Sequence, residues 1–354
     1  MDKKTKGLID TLEKENELQK EEYIYILENY DDETLSYIGE KAVKMSKKYF
    51  SDKIYTRGLI EISNICKNDC YYCGIRKSNS TLSRYRLSKE DILFCCREGY
   101  SLGFRTFVLQ GGEDGHFTDD FLCDIIKEIK NLYPGCAVTL SLGERNYESY
   151  KKLKNAGADR YLLRHETAND AHYSKLHPAE MKLSDRKKCL FELKELGYQT
   201  GAGFMVGSPY QNNENIAEDL LFIKELNPQM VGIGPFIPHK DTPLAGFSQG
   251  NLKLTLLLLS IIRLMLKNVL LPATTALGTI CKNGRELGIL AGANVVMPNL
   301  SPVSVRKKYS LYDNKICTGE EAAENLVLLE KRFNKIGYTL SSDRGDYIEE
   351  DSSL

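Results

Sequence analysis

From Ile54 to Met297 short β-rich runs alternate with longer amphipathic ones, and this alternation limits the fold more than any other feature of the sequence. Eight runs read as strands: Ile54–Ile62, Thr106–Gln110, Ala137–Leu142, Arg160–His165, Gln199–Met205, Met230–Gly234, Leu271–Thr275 and Asn294–Met297. Strands spaced by helical segments fold as parallel sheets with helices outside. Ser88-Lys89-Glu90-Asp91 has the capping-box pattern that opens a helix. Gly103, Gly157, Gly197 and Gly292 stand just ahead of strands, where a left-handed residue ends the preceding helix. Eight repeats favour an α/β fold of the (β/α)8 TIM-barrel type, with a doubly wound sheet as the alternative. Such a barrel takes roughly 250 residues. The 354 residues then divide into an N-terminal helical arm (1–50), the barrel (51–300) and a C-terminal extension closing it (301–354). The extension reads as helical from about Glu320 to Ile336, and the last eighteen residues read as a loose tail.

A barrel carries its chemistry at the C-terminal ends of its strands, and side chains alternate along each strand. In Ala137–Leu142, Val138, Leu140 and Leu142 share one face, which leaves Thr139 and Ser141 for the barrel interior. Leu162, Arg164 and Glu166 likewise share a face, bringing a guanidinium and a carboxylate to one strand end. Gln110 ends the second strand, and the seventh offers Thr274 and Thr275. Barrel interiors are usually packed with branched apolar residues, so this much polarity implies a cavity with a polar ligand. His165, on the opposite face from Arg164, reads as structural, and His172 and His177 read as solvated loop residues.

The first strand runs into Cys66-Lys67-Asn68-Asp69-Cys70-Tyr71-Tyr72-Cys73-Gly74, a C-x3-C-x2-C spacing closed by a glycine. Three thiolates on one loop can hold three irons of a cubane and leave the fourth open to a ligand. The competing reading is zinc, but a structural zinc site needs four ligands and a second cysteine or histidine pair is missing at a suitable distance. Of the ten cysteines, Cys95, Cys96, Cys123, Cys136, Cys189 and Cys281 read as buried packing residues. The charged N-terminus lacks the apolar core of a signal peptide, so the expectation is a cytoplasmic protein with reduced thiols. Leu254–Leu266 is too short and too interrupted to span a bilayer, so no membrane contact is expected. With 48 basic against 49 acidic residues, no nucleic-acid partner is expected either.

The cysteine loop just after a first strand resembles that of the radical S-adenosylmethionine (SAM) superfamily. That resemblance implies one oxygen-sensitive 4Fe–4S cluster on Cys66, Cys70 and Cys73, with SAM chelating the open iron. One electron then splits SAM into methionine and a 5′-deoxyadenosyl radical. Tyr72 resembles the family's aromatic residue near the adenine. Gln110-Gly111-Gly112-Glu113 resembles its GGE motif, with Gly112 and Glu113 at the SAM amino group.

Longer stretches resemble the FeFe-hydrogenase maturases of the HydE family. They are Thr139–Glu144, Arg160–Asn169, Gly201–Gly207, Met230–His239, Pro272–Ala276 and Met297–Asn299, so the likeness spans about Arg57 to Cys317. It implies that Ser141, Glu166 and Arg186 approach SAM, the arginine through its carboxylate. It further implies that Gln110, Thr139, Arg164, Met230, Thr274, Thr275 and Tyr309 line the substrate side. The implied substrate is a cysteine-bearing iron complex with CO and cyanide made by HydG, the implied recipient is the HydF scaffold, and a flavodoxin or ferredoxin is the implied reductant. Two positions depart from the pattern. Cys317 would begin a second-cluster motif, C-x7-C-x2-C, but Asn325 and Leu328 occupy its later positions, so that cluster is expected to be absent. Gly111 stands where relatives commonly carry serine. Other readings are a methylornithine synthase-like or biotin synthase-like enzyme, or a non-catalytic iron–sulfur carrier. The carrier would have no use for SAM-binding groups, and sulfur insertion lacks a set of barrel-wall cysteines.

Overall fold

The computed structural model of the protein describes residues 1–316 and 322–349; Cys317, and with it the start of the second-cluster motif, lies outside them. Strands run as β1 (Lys53–Thr56), β2 (Gly58–Ser63), β3 (Thr106–Gly111), β4 (Ala137–Ser141), β5 (Arg160–Leu162) and β6 (Gln199–Ala202). They continue as β7 (Met205–Val206), β8 (Met230–Val231), β9 (Gly234–Pro235), β10 (Val295–Val296) and β11 (Thr339–Ser341). A six-stranded sheet orders β2-β3-β4-β5-β6-β8, all parallel. From β8 the ring continues through single bridges, Met230 to Leu270 and Pro272 to Val295, and β10 pairs with β1. The eight expected strand positions thus close into a barrel.

Two of those strands differ in detail from the sequence pattern. The first is broken at Arg57, so that β1 pairs with β10 and β11 while β2 pairs with β3. The seventh shrinks to its two bridges, since Pro272 has no N–H for a ladder and Thr275 already starts the helix Thr275–Ile280. Ser88 caps its helix as its sequence predicts, and the four helix-ending glycines all have positive φ.

The N-terminal helices α1 (Lys3–Glu15), α2 (Lys20–Asn29) and α3 (Asp32–Phe50) pack on the outer wall of the barrel. Ile9, Leu12, Ile26 and Ile38 join Leu257, Leu258 and Ile261 of the helix Leu252–Met265 in one core. A second core lies between β2–β6 and their helices, where the outward residues Val138, Leu140 and Leu142 meet Leu122, Ile125 and Ile126. Among the described residues no helix is long and apolar enough to cross a membrane.

The end of the described chain is not the loose tail its sequence predicts. β11 adds to β1, and residues 342–349 then cross the N-terminal face of the barrel. There the fully buried Arg160 donates from Nη2 to Arg344 O (3.1 Å), Gly345 O (3.1 Å) and Asp346 Oδ1 (2.6 Å). Its Nη1 donates to Thr106 Oγ1 and its Nε to Gln199 Oε1, both at 3.0 Å. Asn268 holds Ile348 O and Tyr347 Oη. Carbonyls gripped by a distant arginine leave no periodic signal in the strap itself. Arg160→Met is expected to lower the unfolding free energy by ~3 kcal/mol, since the acceptors around a buried charge lose their donor. Thermal unfolding measures this, and an unchanged melting midpoint would contradict the strap's role.

Candidate cluster and cofactor site

The cysteine loop is fixed by hydrogen bonds of its other side chains and backbone, and none of its three thiols is in a disulfide. Asp69 receives Arg76 through two oxygens (2.7 and 2.5 Å), with the N–H and hydroxyl of Ser78 at 2.9 and 2.7 Å. The Arg76 guanidinium holds the Asp69 carboxyl well below the usual range. Arg84 donates to four carbonyls of the loop and its return, those of Asn64, Ile75, Arg76 and Asn79. Gly74 passes close to the C-terminal segment: its N–H donates to Leu311 O at 2.8 Å, and a Cβ there would lie 2.2 Å from Ser310 O.

Cys66, Cys70 and Cys73 are unpaired and half-buried, and all three line one cavity of about 330 Å3 at the C-terminal ends of the strands. Burial, then repulsion from the neighbouring thiolate, lifts the Cys70 and Cys73 thiols, the latter to about 12, and burial lifts Cys66. Three thiolates can coexist here only with cationic metal beside them. Among the described residues no group of three His, Cys, Asp or Glu side chains converges as a single ion requires. A cubane asks for no such convergence, because each thiolate binds its own iron. The Glu113 N–H, 3.3 Å from Cys66 Sγ, is placed to donate to a thiolate. The donor set therefore fits a 4Fe–4S cluster and not a closed zinc site.

The charged side chains of the cavity wall are each paired, some with partners behind or outside the wall. Lys67 Nζ lies 3.1 Å from Glu113 Oε2, Arg186 Nε 2.5 Å from Glu144 Oε1 and Arg164 Nη2 3.0 Å from Glu166 Oε2. Lys315 Nζ contacts the fully buried Glu61, which also accepts from Asn299 at 3.0 Å. Burial keeps the Glu144 carboxyl above the ordinary range despite Arg186. Glu113 is seated over Gly143, where φ is +74° and a Cβ would lie 2.0 Å from Glu113 Cγ. Its Oε1 accepts from Glu144 N–H at 2.9 Å. Tyr72 donates from its hydroxyl to His177 Nε2 (3.2 Å), while His177 Nδ1 donates to Tyr173 O (3.1 Å). Burial pushes His177 down to about 3, so the ring is neutral and free to accept.

Of the residues singled out in the sequence, Cys66, Cys70, Cys73, Tyr72, Gly112, Glu113, Ser141, Glu166, Arg186, Gln110, Arg164, Thr274, Thr275 and Tyr309 all line this cavity. Thr139 and Met230 do not. Both are buried in the barrel below it, Met230 with Sδ 3.0 Å from Arg57 Nη1 and Thr139 with a hydroxyl that has no partner. Thr274 also has an unpartnered buried hydroxyl, on the cavity wall. His172 and His177 are buried, not solvated. Glu61, Lys67, Glu144 and Lys315 join the site without having been foreseen. Their partners lie at least 31 residues away in sequence, and only the parity of Glu61 on β2 could have hinted at one of them.

A parallel barrel with this loop at its mouth has the architecture of radical SAM enzymes, and residues 60–223 match the model of the Radical SAM superfamily. The crystal structure of methylornithine synthase PylB superposes with a TM-score of 0.82 at 25% identity, over 94% of this chain and 97% of that one. The 3-methylornithine synthase of Methanosarcina acetivorans is 28% identical over 92% of this chain and 87% of its own length. The [FeFe] hydrogenase maturase subunit HydE of Thermotoga maritima is 47% identical, over 86% of each chain. The chain belongs to the HydE family of [FeFe] hydrogenase maturases within the radical SAM superfamily. It is an enzyme, and its cofactors are a 4Fe–4S cluster and SAM.

The close approach of Gly112 gives a test of this geometry. A Cβ there would lie 2.3 Å from Ile65 O and 2.7 Å from Cys66 Cβ, whereas one at Gly115 would meet nothing within 4 Å. Gly112→Ala is expected to cost about 1–3 kcal/mol of stability and to lower the iron retained after reconstitution. Gly115→Ala should match the parent in both, and equal iron in the two variants would contradict the contact.

Proposed function

We propose that the enzyme acts on a cysteine-bearing iron complex carrying CO and cyanide, supplied by HydG, and that its product goes toward the HydF scaffold. A flavodoxin or ferredoxin would supply the electrons. The observation that carries this reading is the likeness to the Thermotoga maritima maturase subunit along most of both chains, well beyond that to the methylornithine synthase.

In this reading Cys66, Cys70 and Cys73 hold the cluster. The chemistry that such a cluster supplies when bound is one electron to the sulfonium of SAM, which gives methionine and a 5′-deoxyadenosyl radical. Glu113, half-steadied by the Glu144 N–H, accepts from the SAM ammonium, and Gly112 lets the backbone come close enough for that contact. Arg186 donates to the SAM carboxylate, with Ser141 and Glu166 beside it. Tyr72, held by the neutral His177, lies against the adenine. Toward the substrate, Arg164 can clamp a carboxylate with two parallel N–H groups, as a cysteine-bearing complex requires. Thr274 has a hydroxyl free for a ligand, with Thr275, Gln110 and Tyr309 around it; Gln110 donates to Tyr309 Oη at 3.3 Å. Thr139 and Met230 shape the floor below. Leu59, Leu162, Met205, Phe236 and Ile237 make much of the remaining wall apolar and keep water from a reactive radical.

Arg186→Ala and Glu166→Ala are each expected to weaken SAM binding by ~2–5 kcal/mol, the loss typical of one partner in a desolvated charge pair, with iron content maintained. Arg164→Lys keeps the charge but not the fork. It should bind SAM and cleave it without substrate, yet fail to activate an apo-hydrogenase when combined with HydG and HydF. The same assay on the parent protein decides the substrate. Failure to activate, together with conversion of lysine to methylornithine, would overturn the maturase reading.

A further inference from the structure

Glu166 has a backbone that an L residue resists. Its φ is +66°, in the left-handed region, and such a residue persists only where its surroundings hold it there. The surroundings do so through several peptide groups of the turn. Glu166 N–H donates to Gly203 O (3.0 Å), and Glu166 O accepts from Met205 N–H (3.3 Å). Arg164 O accepts from Arg186 Nη1 (3.2 Å), and Ala168 O from Lys187 Nζ (3.0 Å). The Ala168 N–H, turned out of the barrel, donates to Asp219 Oδ1 at 2.5 Å.

Asp219 stands on the helix Asn213–Leu226, on a face otherwise made of Ile216, Leu220, Ile223 and Leu226, and is fully buried. The same oxygen lies 3.3 Å from Nε2 of the equally buried His165, close enough for a charge contact though not aligned as a full hydrogen bond. His165 Nδ1 accepts from Gly203 N–H at 3.3 Å, and its ring packs edge-on against Phe222. A carboxylate and an imidazole buried among aliphatic side chains are unfavourable unless they are hydrogen-bonded, and here the bonds they make are to the backbone of this turn and its neighbour. Burial drives Asp219 up and His165 down, toward their neutral forms. Neither group reaches the cavity. What they hold is the backbone on either side of Arg164 and Glu166, which do reach it.

We propose that His165 and Asp219 are positioning residues, a clamp behind the barrel wall that holds residues 164–168 so that Glu166 and Arg164 present their side chains to the cavity. The inference rests on the reading of Glu166 as a SAM contact. Asp219 supplies the acceptor for Ala168 N–H, and His165 ties the same turn to the β6–β7 connection through Gly203.

The test uses the reconstituted holoenzyme and SAM as the ligand. Asp219→Ala should raise the SAM dissociation constant roughly tenfold or more, in the range of coupled neighbours, with iron content unchanged. Asp219→Asn, which keeps an acceptor for Ala168 N–H, should recover most of that loss. Leu220→Ala, a core truncation on the same helix, should lower the melting temperature without moving SAM affinity. In a Glu166→Gln background Asp219→Ala should add little further loss, because both changes remove the same contact. His165→Phe keeps the aromatic packing but not the acceptor; it serves where Asp219→Ala fails to fold, and it should weaken SAM in the same direction. Faster amide exchange over 164–168 in the cluster-free Asp219→Ala protein would support the clamp independently of any cofactor. Parent-like SAM affinity in Asp219→Ala and His165→Phe, with Glu166→Gln impaired, would overturn the clamp alone. Parent-like affinity in Glu166→Gln would overturn the reading of Glu166 and the clamp with it.

Discussion

A charge inside a barrel is costly unless another charge or a set of hydrogen bonds answers it, and the mouth of this barrel is organised around that requirement. Lys67 faces Glu113, Arg186 faces Glu144, Arg164 faces Glu166 and Lys315 faces Glu61, each pair drawn from different parts of the wall or from neighbouring positions on one strand end. The cavity thus carries many charged groups with little net charge. The zwitterionic amino-acid end of a cofactor such as SAM can enter such a site by sharing partners already in place. The three thiols stand apart, since burial, joined at Cys70 and Cys73 by repulsion from a neighbouring thiolate, opposes their ionisation.

The scaffold serves this arrangement from both ends. At the mouth, Arg84 and the Asp69–Arg76 pair stiffen the cysteine loop, and Glu113 is locked between that loop and the β4 end. Residues 309–315 lie over the mouth, tied by Lys315 to Glu61 and by Leu311 to Gly74. At the opposite face Arg160 fastens the strap that follows β11. A radical enzyme needs its cavity shielded from water, and here segments late in the chain cross both faces of the barrel.

Much of this could be read from the sequence because it depends on local order. Strand parity placed Ser141, Arg164 and Glu166 inward and Val138, Leu140 and Leu142 outward, as found. The cysteine spacing located the loop, and alternation gave the barrel. Parity also set Thr139 inward but could not tell its depth, so it lies below the cavity along with Met230. What escaped was held by distant partners: the break at Arg57, the Lys315–Glu61 pair and the strap on Arg160. His177, expected in solvent, is buried because Tyr72 and Tyr173 close around it, and neither contact has a sequence period to announce it.

The central claim is that the loop of Cys66, Cys70 and Cys73 holds a cubane with one iron left for SAM. Iron-57 Mössbauer spectroscopy of the reconstituted protein, with and without SAM, tests it most directly. The account requires a 4Fe–4S spectrum in which a single iron site changes when SAM is added while the thiolate-bound sites stay the same. A spectrum that SAM leaves unchanged, or one of isolated iron ions, would contradict it.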